Sequence, residues 1–346
     1  MKHQTTRYGE IPFYKIGTFG NTADAFISKK LFLEYKTKYS FPKKGDILIS
    51  ASGTIGRTVI YDGKPAYFQD SNIVWIDNDE TLVKNDFLFY AYSNVKWNTE
   101  HTTILRLYND NFRNTLIPLP PLNEQSAIAN ILSALDRYLY ALDALILKKE
   151  GVKKALSFEL LSQRKRLRGF NQAWQRVRLG DIANYLTSNL SVEQITQQGK
   201  IKVYDVNNFI GYTDTTFISD KPYISIVKDG SVGRVRILPP KTNILSTMGA
   251  LIANHRTTTE FLFYLLSNFD FKNFTSGSII LHIYFKDYKE KTIFLPPLNE
   301  QIAIANILSA LDNEIASLKN KKRQFENIKK ALNHDLMSAK IRVLEK

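Results

Sequence analysis

The chain has 346 residues, enough for two or three domains of ordinary size, each able to bury a core. It carries 47 Lys and Arg against 33 Asp and Glu, a formal charge of +14 that favours a polyanionic partner, nucleic acid first among them. Cysteine is absent, which excludes disulfides and Cys-based zinc sites and suits a reducing cytoplasm; no run approaches the ~20 apolar residues of a membrane span, and the opening MKHQTTRYGE lacks the apolar core of a secretory signal.

Residues 1–118 mix short strand and helix patterns. GDILIS (45–50), RTVIYDG (57–63) and NIVWID (72–77) predict strands bounded by turn residues. NDFLFYAYSN (85–94) predicts a short helix opened by an Asn or Asp cap. In HTTILRLYNDNFRNTLIPLP (101–120), small hydroxyl residues lead a strand, charged residues follow, and an apolar strand runs into a Pro pair. A long helix is predicted over 123–168, with Asn123 as its N-cap, Glu124 at the positive end of its dipole and Gly169 as its stop. Ile128, Leu132, Leu135, Leu139, Leu142 and Ile146 alternate at spacings of 4 and 3, the seam of a coiled coil, and Val152, Leu156 and Leu160 continue it less strictly.

From 171 to 294 the same order returns. KPYISIV (221–227) and RVRIL (234–238) predict strands, and TEFLFYLLSN (259–268) a helix. A second long helix carries Ile304, Leu308, Leu311, Ile315 and Leu318, then Phe325, Ile328, Leu332 and Leu336. Helices of this size, more than 40 residues, extend roughly 60 Å or more at 1.5 Å per residue.

The two helices open with the same words. LPPLNEQSAIANILSALD (119–136) and LPPLNEQIAIANILSALD (295–312) differ only at Ser126 against Ile302, 176 positions apart. KKALSFELLS (153–162) matches KKALNHDLMS (329–338) at the same offset. Upstream, FLFYAYSN (87–94) pairs with FLFYLLSN (261–268), GTIGRTVI (53–60) with GSVGRVRI (230–237), and GEIPFYKI (9–16) loosely with GKIKVYDV (199–206), at offsets that slip between 174 and 190. The unit is too long for a solenoid repeat and reads as a duplicated module. Its helical part is held at fixed length while its upstream part varies. The predicted class is α+β: two α/β modules, 1–121 and 171–297, joined by two long helices, 122–170 and 298–346. Antiparallel pairing of the helices within one chain would relate the halves by a pseudo-twofold axis. Packing of each helix on its own module alone, or pairing between chains, are the alternatives.

Candidate contact residues are chosen for chemistry and for matched positions in the two modules. GTIGR and GSVGR read first as strand-to-strand turns, and second as loops whose Thr54, Ser231, Arg57 and Arg234 reach DNA. Neither continues to the Gly-Lys-Ser/Thr of a phosphate-binding loop. Thr102 aligns with Ser278 and Arg106 with His282, in loops that either cap the module or touch phosphates and base edges. Lys43, Lys44, Ser52, Thr103, Lys228, Arg236 and Ser276 complete the set. No catalytic or metal constellation appears: the five His are scattered, no nucleotide-binding or His-Glu-x-x-His motif is present, PPL lacks the pattern of an amino-methyltransferase loop, and DNDETLVK (77–84) reads as a solvated turn. Two cores on a rigid spacer look like a binding protein.

Two variable α/β modules, each followed by a long helix opening with LPPLNEQ and continuing to LSALD, resemble the specificity (S) subunit of Type I restriction-modification systems. GDILIS with GTIGR, and Trp174 with LGDIA (179–183), are similar to its target-recognition domains. The resemblance covers nearly the whole chain. It implies a non-catalytic, DNA-binding subunit of an adenine methyltransferase and endonuclease complex. Each module would read one half of a bipartite target in double-stranded DNA. The helices would be its central and distal conserved regions, setting the spacing between half-sites and docking methyltransferase (M) subunits, with restriction (R) subunits joining through them. S-adenosylmethionine, ATP and Mg²⁺ would belong to those partners. A spacer of ~60 Å fits, since one turn of B-DNA is roughly 34–36 Å.

One departure stands out. The second module begins with WQRVRLGDIANYLTSN (174–189), and the first lacks an equivalent of about 25 residues. A truncated or silent specificity allele, or a coiled-coil tether without a DNA role, are the competing readings.

Overall fold

The computed structural model describes residues 4–68, 72–97 and 106–344. In chain order it contains β1 (Ile11–Tyr14), β2 (Ala25–Ile27), α1 (Lys29–Lys38), β3 (Ile47–Ser50), β4 (Thr58–Ile60), β5 (Tyr67–Phe68), β6 (Ile73–Trp75), α2 (Asn85–Asn94), α3 (Asn109–Arg113) and α4 (Leu122–Leu161). Then follow β7 (Gln175–Arg178), β8 (Ala183–Thr187), β9 (Ile201–Tyr204), β10 (Phe209–Thr213), β11 (Tyr223–Val227), β12 (Val235–Leu238), β13 (Asn243–Ile244) and β14 (Met248–Ala253). The chain ends with α5 (Thr259–Ser267), β15 (Thr275–Ser276), β16 (His282–Ile283), α6 (Phe285–Tyr288), β17 (Thr292–Leu295) and α7 (Leu298–Met337). The class is the predicted α+β, with two modules and two long helices.

The chain divides into two compact units, Met1–Asp143 with Asn320–Lys346, and Ala144–Lys319. Each unit therefore holds one module, part of α4 and part of α7. In the first unit, β2-β1-β5 and β4-β3-β6 form two three-stranded sheets. In the second, β10-β9-β13 repeats the first of these, β12-β11-β14-β8 repeats the other with a fourth strand added, and β17 pairs with β7. The corresponding pairs agree in direction: β1 with β5 and β9 with β13 are parallel, and the rest are antiparallel.

Within each unit the helices run antiparallel. In the first, Asp136 meets Lys329, Asp143 meets Lys322 at 2.7 Å, and the tilted rings of Tyr138 and Phe325 pack with centroids 4.7 Å apart. In the second, Lys149 meets Glu314 at 2.8 Å and Lys153 meets Asp312. Rising numbers on α4 meet falling numbers on α7 throughout. Ile128, Leu132, Ile304 and Leu308 are at most 2% exposed, and Leu142, Ile146 and Ile315 are also buried. Leu135, Leu139, Leu311 and Leu318 are half-buried.

Val152 and Ile328, expected on the seam, are exposed at 44% and 51%. The 4-3 count from Ile146 runs through Lys149 and Lys153 to Leu156 and Leu160. From Leu318 it runs through Lys322, Phe325 and Lys329 to Leu332 and Leu336. Four lysines thus take seam positions that an apolar search skips. Their stems lie along the seam and their ammonium groups reach acids on the facing helix.

Each long helix has 40 residues, so each extends about 60 Å. α4 stops at Leu161, short of the predicted 168. Gln163 takes a left-handed φ of 64°, and Lys165 N–H closes back on the Glu159 carbonyl. Ala339 (φ 55°) and Ile341 N–H on the Asp335 carbonyl repeat this beyond α7. Gly169 (φ 91°) sits in the following turn rather than at the helix end. Asn123 lies inside the first turn, because α4 begins at Leu122.

Two further expectations change. α2 opens without an Asx cap. Lys84 is its N-cap, and the first amides are taken by remote side chains: Glu80 accepts from Asn85 N–H and Gln125 accepts from Lys84 N–H. The apolar strand expected before each Pro pair forms only in the second unit, as β17. In the first unit residues 115–121 have no strand partner among the described residues. β17 forms because β7, from residues 175–178, pairs with it.

The seam carries more stability than the half-exposed ion pairs flanking it. Leu308→Ala should cost roughly 2–5 kcal/mol in chemical denaturation, whereas Val152→Ala should stay within about 0.5 kcal/mol.

Candidate nucleic-acid interface

The turn after β3 shows why its glycines are needed. Gly53 and Gly56 have φ of +67° and +80°, and Gly230 and Gly233 of +84° and +80°. A Cβ on Gly56 would lie 2.5 Å from the Trp97 ring nitrogen, and one on Gly233 2.6 Å from the Phe271 ring. Both turns close alike: Gly56 N–H donates to the Ser50 carbonyl and Gly233 N–H to the Val227 carbonyl, at 3.0 and 2.9 Å. The turn reading of GTIGR and GSVGR is therefore correct, and the turn holds the adjacent side chains in place.

In the first unit, Ser52 is buried, and its hydroxyl donates to Asn72 Oδ1 at 2.7 Å. Arg106 Nη2 donates to the same oxygen at 3.0 Å, and Ser52 and Arg106 form a β-bridge. Arg57 Nη1 donates to the Phe19 carbonyl at 2.9 Å. In the second unit, Asp229 and His282 form the corresponding bridge, and their side chains meet at 2.7 Å. Arg234 and Arg236 donate to the side chain and the carbonyl of Asn207, both at 2.9 Å. Arg236 also lies 5.3 Å from the Tyr204 ring centre. Each unit thus has a loop cluster in which cations are anchored on polar groups of a neighbouring hairpin. Thr54, Ser231, Ser276 and Ser278 are exposed there, and their hydroxyls have no side-chain partner among the described residues. Lys228 is half-buried and its ammonium is likewise unpaired among them.

Not every candidate joins the clusters. Lys43 and Lys44 sit at the opposite end of the β3–β4 pair from the 52–57 turn, since Tyr61 N–H bonds the Asp46 carbonyl there. Lys43 is exposed and paired with Asp77 at 2.9 Å, a hydrogen bond that raises its pKa. Thr102 and Thr103 lie outside the described residues.

The sequence reading did not pick out the anchors Asn72, Asn207 and Asp229. It also missed the tip of the β15–β16 hairpin, where Ile279 is 96% exposed and Ile280 and Leu281 follow at 56% and 43%. Gly230 N–H bonds the Leu281 carbonyl, which binds this tip to the GSVGR turn.

The repeated NEQ proves structural. Glu124 and Glu300 are buried at the starts of α4 and α7. Glu300 accepts from Arg166 Nη2 at 2.6 Å and from Trp174 Nε1 at 3.0 Å, and Glu124 accepts from Arg342 Nη2 at 2.5 Å. Gln125 bonds Lys84 N–H and the Leu82 and Pro120 carbonyls. Gln301 bonds Thr258 N–H and the Arg256 and Pro296 carbonyls in the same way. Tyr90 donates to Asp136 and Tyr264 to Asp312, and burial, followed by these bonds, pushes both phenols well above their ordinary range.

Two loop clusters on equivalent modules, each tied to paired helices, define a duplicated recognition scaffold. The sequence model described as "Type I restriction modification DNA specificity domain" matches residues 1–149 and 171–327, once in each half. The chain belongs to this family, whose specificity subunits are the non-catalytic members of Type I restriction-modification complexes. A putative Type I restriction enzyme specificity subunit of Haemophilus influenzae is 65% identical over 133 residues, 38% of this chain and 34% of that protein's length. A putative MjaX specificity subunit of Methanocaldococcus jannaschii is 29% identical over 337 residues, 86% of this chain and 79% of the relative. In fold, the crystal structure of a Type I restriction-modification S subunit from M. genitalium superposes with a TM-score of 0.64 at 20% identity, covering 97% of this chain and 91% of that one. Among the described residues no helix is long and apolar enough to cross a membrane.

The Arg342 bond holds the Glu124 carboxyl below its ordinary value of 4.5. A lowered folded-state pKa contributes stability that is present above the ordinary value and lost as pH falls through the lowered one. Arg342→Ala, which leaves Glu124 buried without its cation, should therefore lower the thermal midpoint most at neutral pH. The gap to the unmodified chain should narrow as the buffer is taken below pH 4.5, where Glu124 is protonated in the variant.

Proposed function

We propose that the chain is the DNA-reading subunit of a Type I complex, with each module contacting one half of a bipartite site in double-stranded DNA. The observation that carries this reading is the pair of matched loop clusters, around 52–57 with Arg106 and around 229–236 with 276–282, on a chain of net charge +14. Phosphate contacts from Lys228 position the duplex, and Lys43 and Lys44, at the far end of the β3–β4 pair, are left out of the proposed contact set. Anchored Arg57, Arg106, Arg234 and Arg236, with the free hydroxyls of Thr54, Ser231, Ser276 and Ser278, read base edges. Thr102 and Thr103 belong to this proposed set through their alignment with 278 and 279. Ser52 supports Arg106 through Asn72, and His282 is supported by Asp229.

In this reading the 40-residue helices fix the gap between the two half-sites, and their equivalent starts offer two docking surfaces for M subunits. R subunits join through those. S-adenosylmethionine, ATP and Mg²⁺ are held by the partners, and the complex works in the cytoplasm.

The test is a DNA titration by fluorescence anisotropy at two salt concentrations, together with mapping of methylated adenines in cells with and without the gene. The expected results are an affinity that falls steeply with salt, by a slope of about −0.9 per phosphate contacted, and a split methylation motif that disappears with the gene. Arg234→Ala should weaken specific binding by about 1–3 kcal/mol while leaving binding to unrelated DNA less affected. Salt-independent binding together with an unchanged methylation pattern would leave only a tethering role.

A further inference from the structure

The β15–β16 hairpin of the second unit ends in an apolar tip that the contacts proposed above leave unused. Residues 277–281, Gly-Ser-Ile-Ile-Leu, connect the two strands. Turns favour Gly, Asn, Asp and Ser, so three large aliphatic side chains in a row on a loop tip point to a partner that takes them. Ile279, at 96% exposure, touches almost nothing of its own module.

The tip is held out by its foot and does not fold back. Ile283 is 1% exposed in the core of the module. Its N–H donates to the Lys228 carbonyl at 2.9 Å, and Gly230 N–H donates to the Leu281 carbonyl at 2.8 Å. Between these bonds Asp229 and His282 pair both through a β-bridge and through their side chains. Gly277 turns the chain at φ +92°, and a Cβ there would collide with the Ile280 carbonyl. A tip fixed in this way loses little conformational freedom when it enters a partner.

The surroundings define that partner. The tip stands beside the GSVGR turn, whose Arg234 is anchored on Asn207, and beside Lys228 and the hydroxyls of Ser276 and Ser278. These are groups suited to phosphates and base edges, set next to an apolar point. A stable protein interface needs roughly 800 Å² from each partner, which three residues on one tip do not offer. Duplex DNA offers a narrow apolar slot, the gap between stacked base pairs, which Ile and Leu side chains open in proteins that kink DNA.

We propose that Ile279 is a wedge that enters one base step in the half-site read by the second module, with Ile280 and Leu281 packing on the bases it unstacks. This rests on the DNA-reading role proposed above. Pyrimidine–purine steps unstack at the least cost, so the wedge selects such a step without a hydrogen bond to its bases.

The probe is a duplex carrying the split motif from the methylation map, with 2-aminopurine placed in turn at each purine of the motif and titrated with the intact chain. The expected result is a rise of at least threefold in 2-aminopurine fluorescence beside one step on binding, as stacking is lost there. Ile279→Ser, at a position the fold does not bury, should keep the thermal midpoint of the unmodified chain, weaken binding at least tenfold and abolish the rise. Ile279→Met, which keeps a long apolar side chain, should retain both binding and the rise. Binding without any rise, or a rise that Ile279→Ser leaves unchanged, overturns the wedge and leaves the DNA-reading role standing. Failure of the unmodified chain to bind the duplex overturns that role and the wedge with it.

Discussion

A carboxylate buried at a helix start cannot stand alone, because an unpaired charge in an apolar site costs several kcal/mol. Glu124 and Glu300 are such carboxylates, and each is answered by an arginine from just beyond the other long helix, Arg342 and Arg166. That requirement sets which end of α7 meets which end of α4 within each unit. The seam follows from it: once these ends are matched, Asp136 faces Lys329 and Asp312 faces Lys153. The neighbouring glutamines then tie each helix start to the segment leading into α2 or α5, so module and helix share one rigid joint.

The lysines on the seam bear on specificity more than on strength. Lys149, Lys153, Lys322 and Lys329 occupy positions where leucine would bury more apolar surface. An ammonium there is satisfied only when the facing helix presents an acid at the right level. Sliding one helix by a turn would strand several of these charges at once. The two units share the pair made by Asp136 with Lys329 and by Asp312 with Lys153, and differ beyond it: Tyr138 on Phe325 stands where Glu314 and Lys149 form an ion pair, and Lys322 stands where the other unit has Ile146.

Much of this was legible in the sequence, and the failures have identifiable causes. The duplication and the strict 4-3 spacing through Ile146 and Leu318 fixed the helices, because periodicity is local. The same method assigned Val152 and Ile328 to the seam because it follows apolar letters, and the true seam passes through lysines. The apolar run 116–119 read as a strand since its composition matches 292–295. A strand needs a neighbour, and its neighbour is supplied by another stretch of chain. At the candidate interface, the glycine turns were visible as spacing, whereas Asn72 and Asn207 act on arginines 34 and 27 residues away. No local pattern announces such partners. The constant offset linking Arg166 to Arg342 was present in the letters, and it is the one signal that would have revealed the Glu–Arg joints.

The equivalence of the two joints has a consequence for how such a chain can change. The helix side of each joint is made by residues that recur 176 positions apart, Glu124 and Glu300, Gln125 and Gln301, Arg166 and Arg342, and both helices end in the same left-handed turn, at Gln163 and Ala339. The stretch between the two LPPLNEQ junctions is therefore a cassette with matching ends. A foreign module spliced in at those ends would meet the same glutamine hooks and the same arginine clamp. The frame would accept it without refitting, and a new reading head could be installed in a single genetic exchange.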